Sequence, residues 1–141
     1  MATTRSATTV WHGTLFEGSG HVELVSSGLG GFDVSWPSRA EEPNGKTSPE
    51  ELIAAAHSAC FSMALSNGLA KAGTPPTTLD TSAEVDFVPG TGITEIRLTV
   101  RGSVEGMSEE DFVAAAEDAK ANCPVSKALA ATPITLDAAL A

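Results

Sequence analysis

An apolar segment of about 24 residues, bounded by helix signals at both ends, constrains the fold of this chain most. Ser48 is followed directly by Pro49, and Glu51 lies three residues after the serine, which is the pattern of a helix that begins with a capping box. Gly73 ends the segment. Because residues 52–65 are apolar on nearly all sides, we predict a long, buried central helix.

The length of the chain predicts one domain that spans residues 1–141. With 42% hydrophobic residues the chain can enclose one core, but it is too short for two independent ones. A helix of roughly 36 Å is hard to bury completely inside so small a monomer. We therefore expect a homodimer in which a second subunit covers the central helix.

Charge and composition exclude several classes of partner. The chain has 18 acidic and only 8 basic residues, and its formal net charge is −10, so we expect it to bind neither nucleic acid nor an anionic membrane surface. Its first ten residues lack the apolar core of a signal peptide, and no run reaches the ~18 consecutive apolar residues of a membrane span. We expect a cytoplasmic protein.

The order of predicted elements indicates an α+β fold. Three glycine-bounded segments precede the central helix and predict a β-meander. A polar loop at residues 37–47, which carries Arg39, then leads to the helix. The predicted strands span residues 8–15, 21–26, 31–36, 79–88, 93–104 and 134–140, and two further helices span residues 108–122 and 123–131.

The two cysteines are the candidates for chemistry. Cys60 lies inside the central helix, where a thiol is as readily a small core residue as a nucleophile. Cys123 precedes Pro124 at the start of a predicted helix, and a thiol at that position has its thiolate favoured. The two are too far apart in sequence to form a local Cys-x-x-Cys turn, so only the tertiary fold can pair them. In a reducing compartment such a pair is more often chemical than structural.

His57 lies three residues before Cys60 and suggests two alternatives. The two side chains have the spacing of a pair of metal ligands on one helix face, but neither His12 nor His21 has a spacing that would complete a site, so we expect no metal. His57 also lies within reach of Cys60 as the general base of a hydrolase or acyl transferase, although no acidic or amide residue has the spacing to orient it. We interpret His57 as a residue of a helix face or a subunit interface.

The segment TSPEELIAAAHSACFSMALS at residues 47–66, with CPVS at 123–126 and ITLD at 134–137, resembles the OsmC/Ohr family of thiol-dependent hydroperoxide reductases. The resemblance is closer to the osmotically inducible OsmC branch than to the organic-hydroperoxide-resistance Ohr branch, because residues 13–25 contain no arginine. It implies antiparallel sheets around the central helix and an intertwined homodimer with two active sites at the subunit interface. It also implies that Cys60 is the peroxidatic cysteine, Cys123 the resolving cysteine, and Arg39 with Glu50 the polar pair that orders the site.

This chemistry requires a thiolate near neutral pH, because the thiolate attacks the peroxide and becomes a sulfenic acid. Arg39 would favour that thiolate, and Glu50 would orient the guanidinium. Glu50 and Cys60 are about 15 Å apart along one helix, so a long arginine or a second chain must connect them. The apolar residues Leu52, Ile53, Phe61 and Met63 favour organic hydroperoxides as substrates.

We expect no cofactor, and the resemblance suggests an external, lipoyl-linked dithiol as the reductant. Three alternatives remain: an Ohr-type reductase, a hydrolase with Cys60 as nucleophile, and a non-enzymatic dimeric stress or binding protein.

Overall fold

The computed structural model describes residues 1–141 and confirms the α+β fold class. The chain divides into two compact units, Met1–Leu52 and Ile53–Ala141. Every predicted strand and helix is present, with ends that differ by a few residues. The elements are β1 (Thr8–His12), β2 (Ser19–Glu23), β3 (Gly31–Val34), α1 (Trp36–Ala40), α2 (Pro49–Lys71), β4 (Thr78–Val88), β5 (Gly92–Ser103), α3 (Glu109–Asn122), α4 (Pro124–Ala128) and β6 (Ile134–Leu140).

The first unit contains the predicted meander, in which β1, β2 and β3 form an antiparallel sheet in sequence order. The prediction of a continuous loop at residues 37–47 is wrong at its start, because residues 36–40 form the short helix α1. Ser35 caps this helix: its hydroxyl accepts the Ser38 amide, while the Ser38 hydroxyl accepts the Ser35 amide. This reciprocal cap, with Pro37 in the first turn, starts a helix too short to show hydrophobic periodicity.

Helix α2 begins and ends where the sequence predicted. The Ser48 hydroxyl accepts the Glu51 amide at 3.1 Å, and Gly73 takes the positive φ of 89° that stops the chain from continuing as a helix. The Glu51 carboxylate, however, bonds to the Thr47 hydroxyl rather than closing the predicted capping box. By length and composition α2 matches a membrane span, a criterion that core helices of soluble proteins also meet.

Only one face of α2 is fully buried within the chain. The stripe recurs every four residues and consists of His57, Phe61, Leu65 and Leu69. Met63, on another face, is 72% exposed.

The second unit is built on the sheet β4-β5-β6, in which β5 pairs antiparallel with β4 and parallel with β6. Ile96, Leu98 and Val100 of β5 are buried, as their alternation predicted. A Cβ atom at Gly102 would lie 2.5 Å from the Phe112 ring, so this strand position must be glycine for α3 to approach. The core of the unit comprises Phe61, Leu65, Leu69, Leu98, Val100, Val104, Phe112, Ala116, Ala119 and Cys123.

Candidate functional site

The fold of the second unit places the two cysteines side by side. Cys60 lies on α2, and Cys123 lies at the junction of α3 and α4, where its amide closes α3 by bonding to the Ala119 carbonyl at 2.8 Å. Pro124 then begins α4, because its missing amide proton is not needed in a first helical turn. Cys60 packs against the core cluster that contains Cys123, and each thiol affects the pKa of the other. Both are free, Cys60 partly exposed and Cys123 fully buried.

The thiols differ in pKa as well as in exposure. Burial raises the pKa of the Cys60 thiol, and the hydrogen bond to Cys123 raises it further, against the effect of the Val125 amide. Burial also acts against a Cys123 thiolate, but hydrogen bonds from the Ser126 amide, the Cys60 thiol and the Ser126 hydroxyl outweigh it and lower the pKa of Cys123. The surroundings therefore favour the thiolate more at Cys123 than at Cys60.

His57 and Ser126 form a second contact between α2 and the start of α4. The His57 Nε2 atom lies 2.7 Å from the Ser126 hydroxyl, and both residues are buried. His57 is therefore a residue of a helix face, as interpreted, but that face is the buried one in the interior of the second unit and not an exposed subunit interface. Burial lowers the pKa of its imidazole, which favours the neutral ring. Ser126 is the last residue of the CPVS motif, three residues after Cys123, but the motif alone does not identify His57 as its partner.

Arg39 and Glu50 form a bidentate ion pair within the first unit. Arg39 Nε lies 3.0 and 3.2 Å from the two Glu50 carboxylate oxygens, and Nη2 lies 2.7 Å from Oε1. The Glu50 side chain is only 8% exposed, and Arg39 is 30% exposed. A fork of donors on a planar carboxylate fixes the plane of the guanidinium as well as its position.

The segment that carries Arg39 is itself tied down. The Ser38 hydroxyl donates to the Ser35 carbonyl at 2.8 Å and is also 3.3 Å from the Thr47 carbonyl, just before α2 begins. The Thr47 amide in turn donates to the Asp33 carbonyl at 3.0 Å. These bonds hold α1 beside the first turn of α2, where Glu50 lies.

The four predicted site residues thus occur as two pairs, the ion pair in residues 1–52 and the thiol pair in residues 53–141. Phe61, predicted to line the site, is instead a core residue with no exposed surface. No group of three or more histidine, cysteine or acidic side chains is arranged to hold a metal ion. His57 Nδ1 is buried without a hydrogen-bond partner, so no carboxylate orients this ring as the general base of a hydrolase would need.

Comparisons with known proteins agree with this architecture. The family model described as OsmC-like protein matches residues 42–138. The chain is 44% identical over 130 residues to Peroxiredoxin OsmC of Escherichia coli strain K12, with 90% of each chain covered.

Solved structures share the fold. An organic hydroperoxide resistance protein from Elizabethkingia anophelis superposes with a TM-score of 0.73 at 25% identity and full coverage of both chains. An organic hydroperoxide resistance protein OsmC from Legionella pneumophila has a TM-score of 0.70 at 24% identity, with 95% of this chain and 96% of that chain covered. Because the family model matches more than half of the chain and the curated relative is well above 30% identical over most of it, the chain belongs to the OsmC-like protein family.

Proposed function

We propose that this protein is a thiol-dependent peroxidase that reduces organic hydroperoxides through Cys60 and Cys123. The observation that carries the proposal is one partly exposed thiol packed beside one fully buried thiol. The family supports it, since the curated relative at 44% identity is named a peroxiredoxin.

The difference in exposure supports distinct roles for the two cysteines. Oxidation by a peroxide depends on both thiolate character and access. Cys123 has the lower pKa of the pair but no exposed surface, so a peroxide meets Cys60 first. We therefore assign Cys60 as the peroxidatic cysteine and Cys123 as the resolving one.

The reaction runs in three steps. The Cys60 thiolate attacks one peroxide oxygen, the O–O bond breaks, and the alcohol leaves after taking a proton while Cys60 becomes a sulfenic acid. The Cys123 thiolate then attacks the Cys60 sulfur, and the S–O bond breaks to release hydroxide, which is protonated to water as the disulfide forms. An external dithiol finally reduces the disulfide by two electrons and becomes a disulfide itself.

The thiol pair lacks a positive charge beside Cys60, which Arg39, oriented by Glu50, would supply. Burial and Cys123 both work against a Cys60 thiolate, so a cation is needed at the reacting sulfur. We assign this role to Arg39, held in one plane by the carboxylate of Glu50. The guanidinium would also stabilise charge on the departing oxygen.

We propose that the protein acts as an intertwined homodimer. The exposed faces of α2, including Met63 at 72% exposure, and the exposed apolar residues of the first unit are surfaces that a second subunit would cover. The reductant in this proposal is a small or protein-borne dithiol such as a lipoyl group. A cytoplasmic location fits two free thiols that must return to the reduced state after each turnover.

The decisive experiment follows oxidation of the two cysteines by an alkyl hydroperoxide with mass spectrometry. The wild-type protein should form an intramolecular Cys60–Cys123 disulfide, and Cys60→Ser should lose all catalysed peroxide consumption while keeping its circular dichroism spectrum. Cys123→Ser is the matched control: it should still react with peroxide, lose dithiol-driven turnover, and accumulate sulfinic acid on Cys60 under excess oxidant. Near-normal turnover in Cys60→Ser, or an unmodified Cys60 in Cys123→Ser, would overturn the proposal.

A further inference from the structure

The buried contact between His57 and Ser126 has no part in the function proposed above, yet it lies next to the thiol pair. His57 precedes Cys60 by three residues on α2, and Ser126 follows Cys123 by three residues at the start of α4. Residues three apart on a helix lie on the same face. The two segments therefore meet through two parallel contacts, thiol to thiol and imidazole to hydroxyl.

The hydrogen-bonding capacity of His57 fixes the direction of this second contact. Nε2 faces the Ser126 hydroxyl at 2.7 Å, whereas Nδ1 is buried without a partner. A proton on Nδ1 would leave an unpaired N–H donor in the interior, which is rarer in folded proteins than an unpaired acceptor. The ring proton therefore lies on Nε2 and is donated to the Ser126 oxygen.

The Ser126 hydroxyl can in turn donate a hydrogen bond to the sulfur of Cys123. Its oxygen accepts from His57, so its own hydrogen is available to a second acceptor. Cys123 is the N-cap of α4 and Ser126 is the third residue after it, a spacing that brings the two side chains together at a helix start, and the Ser126 hydroxyl lowers the pKa of Cys123. A hydrogen bond donated to a thiolate stabilises the charged form, and a donor that is itself polarised by a second donor does so more strongly. His57 stays neutral because burial lowers the pKa of its ring, so no buried cation is created.

We propose that His57, Ser126 and Cys123 form a donor chain that holds the resolving cysteine as a thiolate, with Ser126 in contact with the reacting sulfur and His57 as a positioning residue that acts through it. The inference rests on the proposed function, because it gives the donor chain a role in the second step of that reaction, the formation of the disulfide. There, the Cys123 sulfur forms the S–S bond as the Cys60 sulfenic acid loses hydroxide, which is protonated to water.

The donor chain of His57, Ser126 and Cys123 would also direct the reduction of the disulfide. In thiol–disulfide exchange, the thiol with the lower pKa is the better leaving group. Stabilising Cys123 as a thiolate therefore directs the incoming dithiol to the sulfur of Cys60, which is also the exposed one. Formation and reduction of the disulfide thus both depend on the stabilised thiolate of the buried Cys123.

The test separates the two steps by rapid mixing with an alkyl hydroperoxide, followed by acid quench and mass spectrometry. Ser126→Ala should slow formation of the disulfide by about tenfold, much more than it slows formation of the sulfenic acid. It should also move the midpoint of the pH profile of disulfide formation to higher pH. Ser126→Thr, which keeps the hydroxyl, should stay close to wild type.

His57 is tested in the same assay by two variants. His57→Gln keeps an N–H donor and should retain most of the rate of disulfide formation, whereas His57→Leu should reproduce the pH shift of Ser126→Ala. Since His57 acts through Ser126, adding His57→Leu to Ser126→Ala should move the midpoint no further. A purely structural histidine would instead lower stability without moving the midpoint. Should His57→Leu fail to fold, Ser126→Ala decides alone.

A second measurement is independent of peroxide chemistry. In the Cys60→Ser background, the ultraviolet absorbance of the remaining thiolate reports the pKa of Cys123, and adding Ser126→Ala should raise it. An unchanged pKa, together with an unchanged disulfide rate in Ser126→Ala, would overturn the donor chain and leave the peroxidase proposal intact. If the wild-type protein formed no sulfenic acid, the peroxidase proposal would fail, while the thiolate titration would still test the chain.

Discussion

The two units of this chain differ most in where they keep their apolar side chains. In residues 53–141, two helices and a sheet enclose a core whose largest members, Phe61, Phe112 and Leu65, have no exposed surface. In residues 1–52, Val22 is the only buried hydrophobic residue, and it keeps 8% of its surface exposed. Most of the exposed large hydrophobic residues belong to this first unit: Met1, Val10, Trp11, Leu15, Phe16, Val25, Leu29 and Phe32.

This difference indicates which unit buries enough apolar surface to be stable by itself. A three-stranded sheet with so little buried apolar surface is marginal on its own, so the first unit depends on being covered, as the proposed dimer would do. The thiol pair lies in the unit with its own core, whereas the Arg39–Glu50 pair lies in the other. Disulfide formation by the thiol pair would therefore need residues of the second unit alone, whereas activation by the ion pair would need residues of both units.

Truncating one phenylalanine in each unit tests this contrast and should give the largest effect. Phe112→Ala removes a fully buried ring and should lower the free energy of unfolding by about 3–5 kcal/mol. Phe32→Ala removes a ring that is 43% exposed, so it should cost far less and should act mainly by making unfolding more dependent on protein concentration. Urea unfolding at several protein concentrations measures both. An equal loss for the two variants at every concentration would contradict the contrast.

The sequence predicted the elements of both units better than it predicted their contacts. Helix ends were predictable because they depend on residues next to each other: Ser48 and Ser108 each cap a helix through the amide three residues on, and Gly73 ends α2. Helix α1 was missed because five residues show no periodicity, although Ser35 and Ser38 carried a capping signal.

Contacts between distant segments were not readable in the same way. The Arg39–Glu50 and Cys60–Cys123 pairs came from the family resemblance, and the structure brings the members of each pair together. The bond between His57 and Ser126 joins residues 69 positions apart, and neither has a local pattern that names the other. The antiparallel sheets that the resemblance implied are wrong for β6, which pairs parallel with β5, since strand alternation specifies a face but not a neighbour.

The ion pair of the first unit provides the next test. Arg39→Ala should slow peroxide attack by about 100-fold and raise the pKa of Cys60, because thiolate stabilisation and charge stabilisation at the departing oxygen are lost together. Arg39→Lys should recover only part of the rate, since an ammonium group lacks the planar fork. Glu50→Gln should cost less than Arg39→Ala, because the amide still accepts a hydrogen bond. Stopped-flow rates and thiolate titration measure these effects, and a wild-type rate in Arg39→Ala would show that the arginine was wrongly assigned.

A mixed dimer tests whether the ion pair serves the thiols of its own chain. One subunit carries Cys60→Ser and the other carries Glu50→Ala, so only one reactive Cys60 remains. If the pair acts across the interface, the Cys60→Ser subunit supplies an intact Arg39–Glu50 pair and the dimer keeps about half of the wild-type activity. If it acts within the chain, activity falls to about half that of the Glu50→Ala homodimer, because only one Cys60 remains. The two arrangements therefore give separate results in one steady-state assay.

Each unit contains a histidine with a shifted pKa, which is lowered for His57 in the second unit and raised for His21 in the first. Their effects on the free energy of unfolding should be smaller than those of the variants above. Burial holds the pKa of His57 below its usual value of 6.5, so the unfolded chain binds a proton more readily than the folded one. The resulting stabilisation is complete above pH ~6.5 and is lost as the pH falls toward the lower pKa of the folded state. His57→Gln should flatten this acid-side slope of the unfolding free energy. An unchanged slope would contradict the neutral, buried ring.

His21 should give the smallest effect, with the opposite sign. Hydrogen bonds to Asp33 at 2.7 Å and to Glu23 at 3.0 Å raise the pKa of His21 above 6.5. Its stabilising effect is therefore complete below pH ~6.5 and is lost as the pH rises through the pKa of the folded state. All three side chains are about half exposed or more, so water and salt weaken the interaction. Unfolding between pH 6 and pH 8 should show a small decline for the wild-type protein that His21→Gln removes and that 1 M salt reduces, whereas a rise with pH would show that the carboxylates do not hold the proton on His21.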